Sequence, residues 1–368
     1  MSLLFSYDTY ERGDLLNEGR RTFNLEFQNH IGWGSRQDIV WGAGYRYSDS
    51  QSDGSLSVSL NPANIRTHLF STFVQDEISL LPDRVSLTLG TKLEHNYYTG
   101  FGLMPTVRIS YTPTAHQALW AAVSKALRTP AETDAALRVN IAGFPGPGGI
   151  PVIIAAIGNP HVKDERSLSY EAGYRTALLS NLSIDVAAYY NHYDRQNTDE
   201  PGAPFFENTP LPAHMVLPIL TQNLSYGETH GMEIAVNWKV NERWTLAPEF
   251  EFERIHMHPS AGSLDTTTAP DTEGSDPHFR AQIRSHVAVT NRLGWDVSAY
   301  YVDRLAALDV ASYTRLDTGL TWRWSERFSF SVVGQNLLKD HHLEFGNSSA
   351  ATVTSIKRSG YAKLTWQY

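Results

Sequence analysis

The sequence predicts an all-β fold, an antiparallel transmembrane β-barrel of about sixteen strands. Three observations carry this prediction. Side-chain polarity repeats every two residues from end to end, connections alternate between tight turns and long loops, and aromatic residues gather near the ends of the alternating segments. Composition leaves room for such a fold. The 368 residues are 41% apolar and 19% charged, with a mean hydropathy of −0.33. A window average would read this as soluble, but barrels defeat averaging because lipid-facing and lumen-facing residues alternate. Eighteen Tyr, fifteen Phe and nine Trp supply rings that favour a membrane interface.

Along the chain the alternation begins with Phe23, Leu25 and Phe27 against Asn24, Glu26 and Gln28. Val85, Leu87, Leu89, Thr91 and Leu93 then oppose Ser86, Thr88, Gly90, Lys92 and Glu94, and Leu168, Tyr170, Ala172 and Tyr174 oppose Ser169, Glu171, Gly173 and Arg175. In the middle Met232, Ile234, Val236 and Trp238 oppose Glu233, Asn237 and Lys239, while Trp244, Leu246, Phe250 and Phe252 oppose Thr245, Glu249, Glu251 and Glu253. Leu293, Trp295, Val297, Ala299 and Tyr301 are set against Asp296, Ser298 and Tyr300, followed by Leu316, Leu320, Trp322 and Trp324 against Asp317, Thr321 and Arg323. At the end Ala362, Leu364, Trp366 and Tyr368 share one face, and Tyr361, Lys363, Thr365 and Gln367 the other. Successive strand residues point to opposite faces, so one face suits lipid and the other water.

Tight turns are expected at 32–36, 81–84, 112–116, 180–182, 241–243, 291–294 and 325–327. Wide connections are expected at 48–65, 130–165, 197–218, 259–277 and 347–355, with shorter ones near Asp14, Thr99 and Ala306. Loops sorted by length to one end are what a membrane barrel shows. A soluble propeller also alternates, but it has no need of rings at both strand ends and would show a blade-length repeat.

Several function classes fall away. A net charge of −9 without a long basic run gives no nucleic-acid patch. Cysteine is absent, which removes disulfides and thiolate chemistry. No Gly-x-Ser-x-Gly, His-Glu-x-x-His or phosphate loop occurs, so catalysis finds no support, and neither a cofactor nor a resident metal is expected. The N-terminus MSLLFSYDTYERGD lacks a basic n-region and an apolar h-region, so an exported chain with this start is expected to be a fragment.

Four stretches carry a resemblance: WAAVSKALRTPAETD (Trp120 to Asp134), GNPHVKDERSLSYEAGYR (Gly158 to Arg175), ETHGMEIAVNW (Glu228 to Trp238) and VVGQNLLKDHHLEF (Val332 to Phe345), followed by an aromatic C-terminus. In this order they resemble the β-barrel of TonB-dependent receptors of Gram-negative outer membranes. The family carries a plug with an energy-coupling box ahead of its barrel, and plugged transporters have about 22 strands. The resemblance therefore implies that residues 1–368 are the C-terminal barrel portion, with the plug absent. It implies energy-dependent uptake of a scarce ligand such as a ferric siderophore. The partners it implies are outer-membrane lipid, the barrel-assembly machinery, a TonB-type coupler acting through the missing plug, and a small-molecule or metal-chelate ligand. Trp366 and Tyr368 would form the assembly signal. The alternative reading is a sixteen-stranded passive porin-like channel.

Candidate site residues follow from register. Glu171, Arg175, Glu233, Asp317, Arg323 and Lys363 fall on the polar face and would line a wet lumen, where a plug could bond to them. His256 and His258 lie at i and i+2 and share one side of a strand, where two imidazoles could meet a metal chelate. His341 and His342, being adjacent, point opposite ways. The acidic stretch with Asp265, Asp271, Glu273, Asp276 and His278 lacks the regular spacing of a calcium loop. The Gly- and Pro-rich run 143–158 is apolar yet sits in an expected external loop, and exposed apolar surface there has a partner to find. Ile150, Pro151 and Val152 are its candidate ligand contacts, unless the run folds over the lumen or packs on its neighbours.

Overall fold

The alternating segments, rich in β-branched and aromatic residues, form strands as that content favours. A computed structural model describes residues 1–13, 16–346 and 353–367, with Leu178 by its backbone only. In chain order the strands are β1 (Ser2–Gly13), β2 (Asn17–Trp33), β3 (Gln37–Asp53), the short β4 (Val58–Leu60), β5 (Asn64–Leu81), β6 (Val85–Asn96), β7 (Gly100–Thr114) and β8 (Gln117–Arg128). Helix α1 (Glu132–Ala136) follows, then β9 (Leu137–Pro145), β10 (Pro151–Ile157), β11 (Glu165–Leu179), β12 (Leu182–Pro201), the short β13 (Phe205–Glu207), β14 (His214–Asn241) and β15 (Trp244–Pro259). Helix α2 (Thr268–Gly274) precedes β16 (Phe279–Ala288), β17 (Leu293–Val302), β18 (Tyr313–Arg323), β19 (Phe328–Gln335), the hairpin β20 (His341–Leu343) and β21 (Ser355–Lys357), and β22 (Ser359–Trp366).

Twenty of these strands form one sheet. Four of them, β4, β9, β10 and β13, sit among the long loops, which leaves sixteen in the wall, the number expected. Each wall strand pairs antiparallel with its predecessor and its successor. Among the described residues β1 pairs with β2 and β22 with β19, each on one side. All seven expected tight turns lie at one end, and short polar side chains close several of them. The Asn241 side chain accepts from Arg243 N at 2.9 Å, and the Thr290 hydroxyl accepts from Arg292 N at 3.1 Å and Leu293 N at 2.9 Å.

The wide connections lie at the other end, with three shifts of boundary. Strands β12 and β14 run on to Pro201 and from His214, and β3 runs to Asp53, so the loops expected at 197–218 and 48–65 are shorter than the sequence suggests. Pairing continues there because bulges near Tyr193 and Gln196 absorb the register change and let the ladder bend without ending. The last loop is longer than expected and holds the β20–β21 hairpin. The expected connection at Asp14 and residues 347–352 of that last loop lie outside the described residues.

The outward face is apolar and exposed, and Leu364 keeps 70% of its surface. Rings frame it in two rows. Near the tight turns Trp322 stacks on Trp324 (6.3 Å) and Phe328 on Trp366 (6.1 Å). Towards the loops Phe5 meets Phe23 (5.0 Å), Tyr45 meets Phe70 (4.7 Å) and Phe279 meets Tyr301 (6.0 Å). Roughly nine residues of strand separate the rows, close to the ~9–11 that a tilted strand needs to cross a bilayer. The buried apolar side chains, Leu60, Ile65, Ala136, Val152, Ala155 and Val216 among them, gather instead at the loop end. A barrel wall facing lipid on one side and water on the other has no such core of its own.

Candidate functional site

The longest loop, 129–164, supplies the centre of the site. Its hairpin β9–β10 joins antiparallel, β10 adds parallel to the top of β14 with Val152 opposite Met215 and Ile157 opposite Leu220, and β9 adds to β4 with Leu137 opposite Leu60. Around the wall β5 and β14 are separated by β6, β7, β8, β11 and β12. A sheet running β4–β9–β10–β14 therefore crosses the mouth as a chord and roofs the lumen. Apolar residues suit its centre, where β10 packs between β9 and β14, while residues 141–145 of β9 stay exposed. Val152 is 2% exposed and Val216 wholly buried, while Ile150 at the hairpin turn and Phe144 and Phe206 at the margin stay open. Of the three expected ligand contacts, Ile150 is exposed, Pro151 half-buried and Val152 part of the roof's interior.

Motif residues staple the loop to the wall. Strand β8 ends at Arg128, where Pro130 lacks a donor and cannot continue a ladder. The Arg128 guanidinium bonds Glu165 at 2.6 and 2.8 Å across the loop's base and reaches Asp134 at 3.4 Å. The Asn159 side chain accepts from His161 N at 2.9 Å. Gly158 packs so tightly that a Cβ would sit 2.8 Å from backbone atoms of Ala135 and Ala136. Other staples were not legible in the sequence. Arg138 of β9 grips Glu207 of β13 at 2.6 and 2.8 Å, and Glu207 in turn meets His214, 3% exposed, at 3.3 Å. The Asn223 side chain accepts from Lys163 N at 2.7 Å and donates to Arg195 O at 2.9 Å. These partners lie far apart in sequence, so no local motif marks them.

Beside α1, the inner faces of β1, β2, β3 and β5 and the loop residues Tyr98 and Glu132 line a half-open polar cavity of about 430 Å³, with Asp8, Arg20, Asn24 and Arg46 on its wall. Arg20 bonds Glu18 at 2.6 Å and Glu132 at 2.8 Å. Burial, and then the nearby Glu132 carboxylate, push the Tyr98 hydroxyl up to about 12, so it remains a donor. Burial also raises the Glu132 carboxyl, against the pull of Arg20. Guanidinium, phenol and carboxylate together can hold a polar, multiply charged solute.

The expected lumen residues all lie on the inner face. Glu171 stands opposite Tyr189, Arg175 bonds Asp185 at 2.5 Å, and Glu233 stands directly opposite Glu251. Asp317 takes a double bond from Arg315 at 2.7 to 3.1 Å and holds Asn336 N at 2.9 Å. Arg323 faces Ser329, and Lys363 faces Ser331. The pair His256 and His258 shares one side of β15 as expected, and that side is the outward one, continuing from Phe250 and Phe252. His342 is buried against Tyr313, ring centroids 4.2 Å apart, and bonds Glu344 at 2.9 Å. In the acidic loop Asp265 caps Thr267 N at 2.8 Å and Thr268 N at 3.0 Å, and Glu273 accepts from Met257 N at 2.7 Å, so these oxygens have internal partners. No cluster of three metal-ligating side chains is present among the described residues. Trp366 is outward and Tyr368 lies outside the described residues.

Solved structures share this architecture. A point variant of the ferric enterobactin receptor PfeA from Pseudomonas aeruginosa superposes with a TM-score of 0.74 at 15% identity, covering 96% of this chain and 54% of that one. The siderophore receptor PirA from Pseudomonas aeruginosa gives 0.73 at 15% identity, covering 99% and 60%. The copper transporter OprC gives 0.66 at 12%, covering 96% and 59%. The chain thus spans between half and three-fifths of the length of these structures. No curated protein matches it. The sequence pattern described as TonB dependent receptor-like, beta-barrel matches residues 2–337. Wall, roof and sequence pattern agree, and the chain belongs to the TonB-dependent receptor family as a β-barrel of that kind.

Proposed function

We propose that the chain forms wall and mouth of an outer-membrane receptor that captures a scarce ligand outside the cell and passes it inward. A ferric siderophore is the ligand class we assign, by the likeness to PfeA and PirA. The observation that carries this reading is the roof sheet lying across the mouth beside a polar cavity. A pore for passive diffusion gains nothing from such a roof, whereas a receptor gains a partly sheltered site with convergent polar groups for its ligand. The sixteen strands are, in this reading, part of a wall of about 22, and energy arrives from a TonB-type coupler through a plug held against Glu171 and Glu233. Lipid surrounds the outward face, and the barrel-assembly machinery reads the Trp366 end. The chain carries out no chemistry on its ligand.

Binding tests it. The micelle-embedded chain is titrated with ferric enterobactin, haem and cobalamin while Trp fluorescence is followed. Saturable quenching by one of them, weakened at least tenfold by Arg20→Ala with Tyr98→Phe, is expected. Quenching by none of the three, together with a large steady conductance for small neutral solutes across a planar bilayer, would instead support the sixteen-stranded porin.

A further inference from the structure

Outward side chains just above the upper ring row are not alike around the wall. On β2, β3 and β5 that level holds Arg21, Asp49 and Arg66, with Arg21 opposite Asp49 and Arg66 3.5 Å from it. On β12, β14 and β15 the same level is crowded with nitrogen donors. The apolar rows end at Ala188, Met232 and Phe252, which lie side by side. The next row up is Tyr190, His230 and Arg254, then His192, Glu228 and His256, then Tyr226 and His258. Four histidines on three adjacent strands are exposed. The His230 and His256 rings lie 6.1 Å apart, His258 lies tilted beside Tyr226 at 5.2 Å, and the Arg254 guanidinium rests 4.7 Å above the Phe252 ring. Glu228 is set among them, 3.8 Å from His258, and Asp194 follows His192 at the upper edge of the same face, opposite Arg166 of β11.

This patch faces away from the lumen, so a solute passing through the barrel does not touch it. Its position fits another partner. Arg254 lays its stem and charge over the last ring of the apolar band, as a long cation does when it reaches from hydrocarbon to the headgroup layer. Imidazole and guanidinium N–H groups donate to phosphate oxygens, and cations at this depth attract anionic headgroups. We propose that Arg254, His256 and His258, supported by His230 and His192, bind the phosphate of an outer-leaflet lipid headgroup. The lipid becomes a fixed neighbour of the β12–β15 wall. The inference rests on the membrane reading above and adds a lipid site to it.

The test uses the full chain refolded into phosphatidylcholine vesicles containing diphosphoryl lipid A. A shift in electrophoretic mobility between the unheated and the heated protein reports insertion separately from lipid binding, so failure of the membrane reading shows as absent insertion. Native mass spectrometry then counts lipid A retained per chain. The triple variant Arg254→Gln, His256→Gln, His258→Gln is expected to insert and to retain at least about fivefold less, the effect of roughly one cation at an anionic surface. Arg66→Gln, at the same height elsewhere on the wall, is expected to change nothing. If the triple variant fails to insert, Arg254→Gln and His256→Gln singly are each expected to give part of the loss. Equal retention by an inserted variant overturns the proposal, and so does equal binding of fully dephosphorylated lipid A. Binding of inorganic phosphate without preference for the lipid overturns it as well.

Discussion

Replacing Glu207 with Gln removes the charge that Arg138 grips across the roof. The two side chains are each 23% exposed and bonded at 2.6 and 2.8 Å. Breaking a buried pair costs about 3–5 kcal/mol and an exposed one about 0–1 kcal/mol. At this partial burial the loss is about 2 kcal/mol, roughly a thirtyfold rise in the open fraction of the roof. Hydrogen exchange reads it directly: amides of β9 and β10 are expected to lose about thirtyfold protection, while those of β14 and β15 in the wall keep theirs. Lys239→Gln, which removes an exposed pair with Glu242 at the tight-turn end, is the control and leaves the roof unchanged. The pH dependence has a definite sign. The hydrogen bond from Arg138 leads in holding the Glu207 carboxyl below its ordinary range, against burial. The latch therefore contributes fully above the unfolded value of about 4.3 and is lost as pH falls through the lower folded value. Roof protection is expected to be flat from about pH 7 to 5 and to fall only in more acidic solution. Unchanged exchange in Glu207→Gln, or exchange raised equally in roof and wall, would refute the reasoning.

Three further changes have expected outcomes. Gly158→Val places a side chain against backbone that cannot yield, so residues 132–162 are expected to lose about 2 kcal/mol of protection in hydrogen exchange with the wall intact. Asn336→Ala removes the side-chain hydrogen bond to Ile356 O and puts a residue less tolerant of positive φ at a buried position held at φ 54°, and a loss of about 2 kcal/mol in urea unfolding is expected. Burial raises the Asp265 carboxyl, but hydrogen bonds from Thr268 and from the backbone of Asp199, Thr267 and Thr268 outweigh it and hold the group well below its usual range. Its contribution is present above about 3.9 and is lost only in strong acid, so limited proteolysis near α2 is expected in Asp265→Asn at neutral pH and not in the parent.

The wall was legible because one physical pattern repeats in it. A strand with lipid on one side and water on the other must alternate, and the alternation at Met232 to Lys239 and at Trp244 to Glu253 gives both the strand and its facing. Turns were legible from Asn241 and Ser325, whose short side chains bond their own backbone, while at 291–294 the bonding side chain is Thr290, one residue ahead of the expected turn. The roof was not, because its strands pair with partners from other loops. An apolar run such as Pro151–Ile157 reads equally as a ligand patch or as a buried strand, and the parallel pairing of β10 with β14 leaves no local mark. The latch fails for the same reason, since Arg138 and Glu207 are 69 positions apart. His256 and His258 were correctly read as sharing a side. Which side follows only from counting on from Phe250 and Phe252 without a bulge, a continuity that the upper strand could have broken and did not.

The central claim is a barrel wall with lipid outside and water within, and cysteine scanning across β14 and β15 tests it most directly. The chain has no native cysteine, so single substitutions at Met232, Glu233, Ile234, Phe250, Glu251 and Phe252 each give one reporter in vesicles. A membrane-impermeant charged maleimide is expected to label positions 233 and 251 and to miss 232, 234, 250 and 252, with a lipid-soluble reagent showing the reverse. Labelling of all six positions by the charged reagent, or labelling without alternation, would contradict the account.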